Sequence, residues 1–527
     1  MKPKLLFLLL LCNLLANAQT IYVEGAQAGV WDADTVRVVG DVHVKDSLCI
    51  LPGTVVLFEK FYGIMVAKDA SFFAQGTKDD SIVFTVADTT GFYIYNSGLG
   101  GWNGLQLKHA GKVRLDYCLL EYGKAADTLD RFGGALNINR CEDVEITNST
   151  LRCNFSREFG GAVFARDSKL IFADCRINEN KVYTSDGTYA MYGGGACFQK
   201  CNLEMTGMEF DANYGPFCIG GALSLDSCEV MLDRSVFTNN IGLNGGGLYI
   251  MRCNDKRCRL SNLLFDDNYS GHFAGGLAFA DASPEVYNVL VTNNNSEGVS
   301  CNGVFFYQYS SPKLTNCIIY GNYPAPESLH LDSIQMWLWT FEGYAPEFRN
   351  CLIEGDRRYI TGFDYIKVYE NNVFKDPLFV DAEHHDFRLS EDSPCRDSGC
   401  GETPSYITHG LDLAGMPREL NSRIDIGPYE YSGAFVPQRS TVPAFAQLTG
   451  NPLGGHSQLE LDLDRASRVS VTFYSMTGQF IVHKVFDSCV TGRNLLSIGD
   501  LVKGLASGVY LIEVANEQQV CTLKAVK

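Results

Sequence analysis

Between about residue 100 and residue 322 the apolar positions never settle into a helical stripe. They come in short alternating runs, such as Ala222-Leu223-Ser224-Leu225 and Val230-Met231-Leu232, which read as short strands. Two landmarks recur between the runs. A Gly-Gly pair before a small or apolar residue stands at Gly133-Gly134-Ala135, Gly160-Gly161-Ala162, Gly194-Gly195-Ala196, Gly220-Gly221-Ala222, Gly246-Gly247-Leu248 and Gly275-Gly276-Leu277, and Asn302-Gly303-Val304 continues the series. An apolar residue three before an asparagine gives Leu151/Asn154, Ile177/Asn180, Phe210/Asn213, Phe237/Asn240, Phe265/Asn268, Val291/Asn294 and Ile319/Asn322.

Two landmarks in phase at a period near 27 residues mean a solenoid. Tetratricopeptide and ankyrin arrays need amphipathic helices, and propeller blades need more residues per repeat. A parallel β-helix fits, with about three short strands per coil and each coil ~4.8 Å above the last. The seven asparagines are expected in one column at a corner, where Asn tolerates left-handed backbone and its amide can bond along the stack. Gly-Gly permits close backbone approach at another corner. Cys141, Cys201, Cys228 and Cys253 lie six or seven residues after the second glycine, and Cys118, Cys175, Cys317 and Cys351 stand just upstream of the asparagine corner. These thiols read as small packed residues, with bridges between neighbouring coils left open. Only Cys395 and Cys400 have the spacing of a local disulfide.

The ends of the chain differ from its middle. Lys2 and Lys4, the apolar run Leu5–Leu11 and Ala16-Asn17-Ala18 read as a secretory signal over residues 1–18. A lipoprotein signal on Cys12 would need a small residue where Leu11 stands. No later run of eighteen apolar residues exists, so no transmembrane helix is expected after signal removal. Residues 449–527 alternate as five short strands, Gln458–Leu463, Arg468–Ser475, Gln479–Val485, Gly508–Ala515 and Val520–Val526, a small β-sandwich. Composition adds a limit. The 527 residues carry a net charge of −18 with no basic block, which argues against nucleic acid as a partner. Aromatics at 12% exclude a disordered acidic tail.

Asn451-Pro452, Val471-x-Phe473-Tyr474-x-x-x-Gly478, Leu505-x-x-Gly508-x-Tyr510 and the terminal Lys524-Ala525-Val526-Lys527 closely resemble the type A C-terminal sorting domain of the type IX secretion system. The resemblance implies the type IX secretion machinery as a partner and export across the outer membrane. It also implies removal of the domain and attachment at the cell surface. Leu48-Cys49-Ile50-Leu51-Pro52-Gly53-Thr54-Val55-Val56 and Gly101-Trp102-Asn103-Gly104-Leu105 look like the opening coils of right-handed β-helices of the pectate-lyase-like superfamily. The Gly-Gly-Ala and Phe-x-x-Asn pair resembles the polymorphic outer-membrane protein repeat of surface adhesins. Asp376-Pro377-Leu378-Phe379, Ser393-Pro394-x-x-Asp397-x-Gly399 and Asp425-Ile426-Gly427-x-Tyr429-Glu430 resemble the segment that closes bacterial right-handed β-helices before an anchoring domain. The expected fold is therefore all-β, a right-handed parallel β-helix with a small C-terminal Ig-like β-sandwich. The expected layout is signal peptide 1–18, β-helix 19–375, cap 376–431, linker 432–448 and sorting domain 449–527.

Chemistry is less clearly written. Arg166, Lys200, Asp226, Arg252 and Asp281 each lie five after a second glycine. They are candidates for an acid/base cluster in a groove. The stronger reading is a ladder of alternating charges between coils, each pair worth ~0.5 kcal/mol. Asp266-Asp267 and Asp381…Glu383 lack the alternating oxygen ligands of a calcium loop, so Ca²⁺ is only a weak candidate and no other cofactor is implied. His384-His385 sits inside the closing motif and reads as structural. Loops between the two corners carry Phe155, Phe159, Tyr183, Tyr189, Tyr192, Tyr214, Phe217, Tyr269, His272 and Phe273. These are candidates for stacking on sugar rings or docking a host or matrix protein, and equally for shielding the corner. The expectation is an exported surface scaffold for adhesion or for binding surface polysaccharide or protein. The rival on the same fold is a polysaccharide lyase or glycoside hydrolase.

Overall fold

Strands of three to five residues cannot bury an apolar face alone, so they stack coil on coil. A computed structural model describes residues 19–94, 97–126, 132–183, 191–253, 257–297, 301–323, 335–401, 410–418 and 423–431, and in the C-terminal part 446–449, 453, 457–463, 466–475, 480–503, 505, 509–516 and 520–527. The signal segment, Tyr189 and most of the linker lie outside the described residues.

Parallel strands form one 33-stranded sheet wound into a coil with three faces. Face A contains Leu105–Lys108, Leu136–Asn139, Val163–Arg166, Ala196–Gln199, Leu223–Asp226, Leu248–Met251, Leu277–Ala280, Val304–Gln308 and Met336–Thr340, each paired with the next. Face B begins with Lys112–Asp116, Asp143–Thr147 and Lys169–Ala173, and face C with Cys118–Glu121, Thr150–Arg152 and Arg176–Asn178. Alternation sends every second side chain into the coil. On face C this builds one inward column, Leu151, Ile177, Phe210, Phe237, Phe265, Val291 and Ile319, all buried. Phe210, Phe237 and Phe265 stack with centroids 4.7 Å apart, which is the spacing of the coils themselves.

The asparagine column forms as expected. Asn154 Nδ2 donates to Asn180 Oδ1 at 2.9 Å, and the same bond repeats through Asn213, Asn240, Asn268, Asn294 and Asn322 at 2.9–3.0 Å. Each Nδ2 also donates to a carbonyl of the coil before, such as Ile177 O for Asn213. Gln335 ends the ladder by accepting from Asn322 Nδ2 at 2.6 Å. One expectation is corrected. The left-handed backbone belongs not to the ladder asparagines but to the residue before each: Cys153, Glu179, Ala212, Asn239, Asp267, Asn293 and Gly321. The αL residue turns the chain, so the next side chain points inward, where only a donor–acceptor amide can satisfy both neighbours.

At the other corner the glycines are needed. Gly160 has φ +61°, and a Cβ on Gly194 would sit 2.1 Å from Gly221 O of the next coil. Among the described residues no disulfide is formed. Cys201 N donates to Cys228 Sγ at 3.4 Å and Cys228 N to Cys253 Sγ at 3.3 Å. Burial pushes the Cys175 thiol up to about 12, so it stays a protonated packing group. Cys395 and Cys400 are separate thiols and not a local bridge. Cys395 is turned into an apolar cluster with Leu264, Ile318 and Ile426, while the Cys400 backbone N–H donates to Asn316 Oδ1 at 2.7 Å.

Residues 376–431, expected to close the end of the solenoid, run back along its flank. Phe387, Leu389, Cys395 and Ile426 cover the outward column Leu264, Leu290, Ile318 and Leu352 of face C. A second asparagine column, at the corner between faces B and C, ties this strap down. Asn262 donates to Leu411 O, Asn288 to Asp425 O and Gly427 O, Asn316 to Cys400 O and Asn350 to Ser398 O, all at 3.0–3.3 Å. Inside the strap, the buried Arg418 feels four carboxylates, Glu430, Asp412, Asp425 and Asp233. Its Nη1 lies 3.0 Å from Glu430 Oε1 but out of line for a hydrogen bond.

Burial pushes the Glu430 carboxyl up, to about 8, and raises Asp412 and Asp425 too. Four carboxylates face one guanidinium, so protonating one relieves repulsion without stranding the cation. A carboxyl whose folded pKa is raised binds more protons folded than unfolded, so stability falls as pH rises between about 4.5 and about 8. Hydrogen-exchange protection of strap amides, corrected for intrinsic rates, is expected to be higher at pH 5 than at pH 9. Glu430→Gln should flatten that dependence, and protection that rises with pH would contradict the assignment.

Residues Gly433–Lys527 form a second compact unit. Ala446–Thr449, Gln458–Leu463 and Gly492–Ser497 make one antiparallel sheet. Phe480–Cys489, Ser467–Ser475, Val509–Ala515 and Val520–Val526 make the other. Leu459, Leu461, Val471, Phe473, Ile512 and Val514 share one core between them. Gly492–Ser497 was not among the expected strands. Its half-exposed alternation leaves no strong apolar period.

Candidate ligand-binding face

Face A offers two outward columns. The inner of these, including Asn137, Cys197, Ser224, Tyr249, Ala278 and Phe305, is buried although it points away from the core. The cause is the stretch between the asparagine and glycine corners. Its own short strands, among them Met191–Tyr192, Cys218–Ile219, Ile241–Asn244 and Tyr269–Phe273, stack into a side sheet. Ile219 and Phe273 pack on Tyr249, Ala278 and Phe305 in a second apolar cluster. The side sheet is therefore a wall, and the outer column of face A is a floor beside it.

The floor changes character along the solenoid. Register aligns Lys108, Asn139, Arg166, Gln199 and Asp226, then Met251, Ala280, Tyr307 and Trp339. At the polar end a cavity of about 330 Å³ is lined by Lys108, His109, Asn139, Arg140, Arg166 and Asp167, with Phe132 and Phe164 beside them. At the other end the floor is aromatic. Trp337 and Trp339 stack with centroids 5.6 Å apart and planes at 17°. Phe305 touches Trp337 and Tyr307 touches Trp339, each at 5.6 Å. Just past the strands, Tyr309 meets Phe341 at 5.1 Å and Tyr344 at 5.0 Å. Trp339 is 49% exposed and Tyr309 47%. A second cavity, of about 670 Å³, opens beside Phe341 and Tyr344.

The charged candidates separate. Arg166 and Asp226 are on the floor, but Lys200, Arg252 and Asp281 stand one residue later, in left-handed turns. In Gly193–Gly195, Gly245–Gly247 and Ala274-Gly275-Gly276 the last glycine stands where Gly160-Gly161-Ala162 has alanine, so the Gly-Gly landmark sits one position late and counting from its second glycine slips by one there. Only one pair of the ladder closes: Arg252 Nε donates to Asp226 Oδ1 at 2.8 Å, and Ser227 Oγ donates to the same oxygen. Asp281 accepts from Tyr309 N at 3.3 Å, and Lys200 has no ion pair among the described residues. Arg166 Nε donates to Gln199 Oε1 at 3.0 Å.

The aromatic candidates fall into two groups. Tyr183 lies 6.2 Å from Phe217, and Tyr214 and Phe217 are exposed on the side sheet. Tyr192 packs on Phe159, Tyr269 OH donates to Glu297 at 2.8 Å, and Phe273 stacks on Phe305 at 4.6 Å. Tyr307, Tyr309, Trp337, Trp339, Phe341 and Tyr344 are not among the sequence candidates. The signal for them is the period of two in Phe305-Phe306-Tyr307 and Met336-Trp337-Leu338-Trp339, which throws every second ring outward.

Residues 82–288 match the family described as right handed beta helix region, and residues 451–527 match the secretion system C-terminal sorting domain. No curated protein matches the chain. Among the described residues no helix is long and apolar enough to cross a membrane. A stacked parallel coil with a separate sandwich unit bearing the sorting signature leads to one statement: this chain is a right-handed parallel β-helix protein with a type IX secretion sorting domain, exported to the cell surface or the extracellular space.

Proposed function

We propose that the β-helix is a surface-displayed binder of polysaccharide and that a sugar chain lies along the outward floor of face A without being cut. The observation that supports this reading most is the half-exposed Trp339, stacked on the partly buried Trp337 and continued by Tyr307, Tyr309, Phe341 and Tyr344. Large flat rings set on rigid strands lose little conformational freedom on binding and present apolar faces to sugar C–H groups. The carboxylate best placed for acid/base work, Asp226, is held on both oxygens by Arg252. That pairing suits a scaffold better than a general base.

Trp339→Ala removes an aromatic contact worth about 1.5 kcal/mol when buried by ligand, or about tenfold in affinity. Affinity electrophoresis through gels containing a retained polysaccharide is expected to show that loss, larger in the Trp337→Ala/Trp339→Ala double variant. Retention unchanged in the double variant would place binding elsewhere. A second reading, cleavage of an acidic polysaccharide, is favoured by the cavity where Lys108, His109 and Arg166 meet Arg140, itself 3.9 Å from the one lining carboxylate, Asp167. It requires product formation that Arg166→Ala abolishes.

A further inference from the structure

Two segments that the sequence leaves apart, Asp266-Asp267 and His385, meet in space. Asp266 ends a face C strand, Asp267 turns the corner after it, and His385 lies in the strap, 119 residues from Asp266. One nitrogen of His385 and one oxygen from each aspartate lie within 4.8 Å of one another. His385 Nδ1 is 2.7 Å from Asp266 Oδ2, and Nε2 is 3.7 Å from Asp267 Oδ2. Asp266 is 3% exposed, and its other oxygen accepts from Asn293 Nδ2 at 2.8 Å, which fixes the carboxylate. No Lys or Arg among the described residues pairs with either aspartate. Even an imidazolium would leave one negative charge uncompensated, half-covered by protein.

We propose that Asp266, Asp267 and His385 form a binding site for one divalent cation of the zinc class, and that this ion clips the strap to the coil. An imidazole with two carboxylates suits a borderline metal, and three protein ligands leave a position for water. Calcium prefers six to eight oxygens and does not fit a site with a nitrogen ligand. Asn293 acts as the outer support that holds Asp266 in place. The ion would join residues from two chain segments, so binding should stabilise the strap specifically.

The test uses the full mature protein, stripped with chelator and titrated with Zn²⁺ alone. Calorimetry should find one ion per chain at this site, and hydrogen exchange over residues 376–389 should slow on binding. His385→Ala should abolish both effects while the unliganded protein keeps its fold. Asn293→Ala should weaken binding by roughly tenfold. Three results would overturn the proposal: no stoichiometric binding to the wild type, binding unchanged in His385→Ala, or preference for Ca²⁺ over Zn²⁺. Should Asp266→Asn fail to fold, Asp267→Asn at the exposed ligand tests the same site and should also weaken binding.

Discussion

Asn213→Ala is expected to lower the thermal unfolding midpoint of the β-helix by about 5 °C. Asn213 sits mid-ladder and is fully buried. Its Oδ1 accepts from Asn180 N and Nδ2, and its Nδ2 donates to Ile177 O and Asn240 Oδ1. Alanine leaves several of these partners without a bond and without water, at ~1–3 kcal/mol each. Partial relaxation brings the total to about 4 kcal/mol. Asn239→Ala is the matched control. Asn239 is next door in the left-handed position, and its amide reaches Asp211 at the exposed surface. Losing that exposed hydrogen bond and holding alanine in the left-handed region should together cost about 1–2 kcal/mol, well below the loss at Asn213. Equal midpoints for Asn213→Ala and the wild type would mean that the ladder carries no stability.

Deleting residues 449–527 is expected to leave the β-helix folded and to trap it in the cell envelope. The C-terminal unit buries its own core, and among the described residues its strands pair with one another. The solenoid loses no partner strand when the unit is removed. The export route is read from the sorting domain alone. Surface protease accessibility on intact cells should therefore fall from full to background, while purified truncated protein melts as the wild-type β-helix does. Normal display of the truncated protein would sink the route.

The columns were legible because a period repeated many times leaves little freedom. The inward Leu151-to-Ile319 column and the Asn154-to-Asn322 ladder both follow from it. What the period conceals is phase within a coil. Left-handed geometry falls one residue before each ladder asparagine, and Gly195, standing where the coil before has Ala162, moves the Gly-Gly landmark one position late, so that counting from it picks Lys200 and not Gln199, the floor partner of Arg166. The Gly-Gly landmark stops at Gly303, so the coil that presents Trp337 and Trp339 had no phase mark. Contacts between segments far apart leave no trace in local pattern. Nothing in the sequence near Asn262 points to Leu411, nor in that near Asp266 to His385.

Incubating the mature protein with a panel of neutral and acidic polysaccharides, while measuring both retention and chain cleavage, bears most directly on the binding account. The account predicts retention of at least one polysaccharide, loss of that retention in Trp337→Ala/Trp339→Ala, and no new chain ends at any pH from 5 to 9. Release of shortened chains by the wild type, abolished in Asp226→Asn or Arg166→Ala with the fold intact, would contradict it and make the floor of face A an active site.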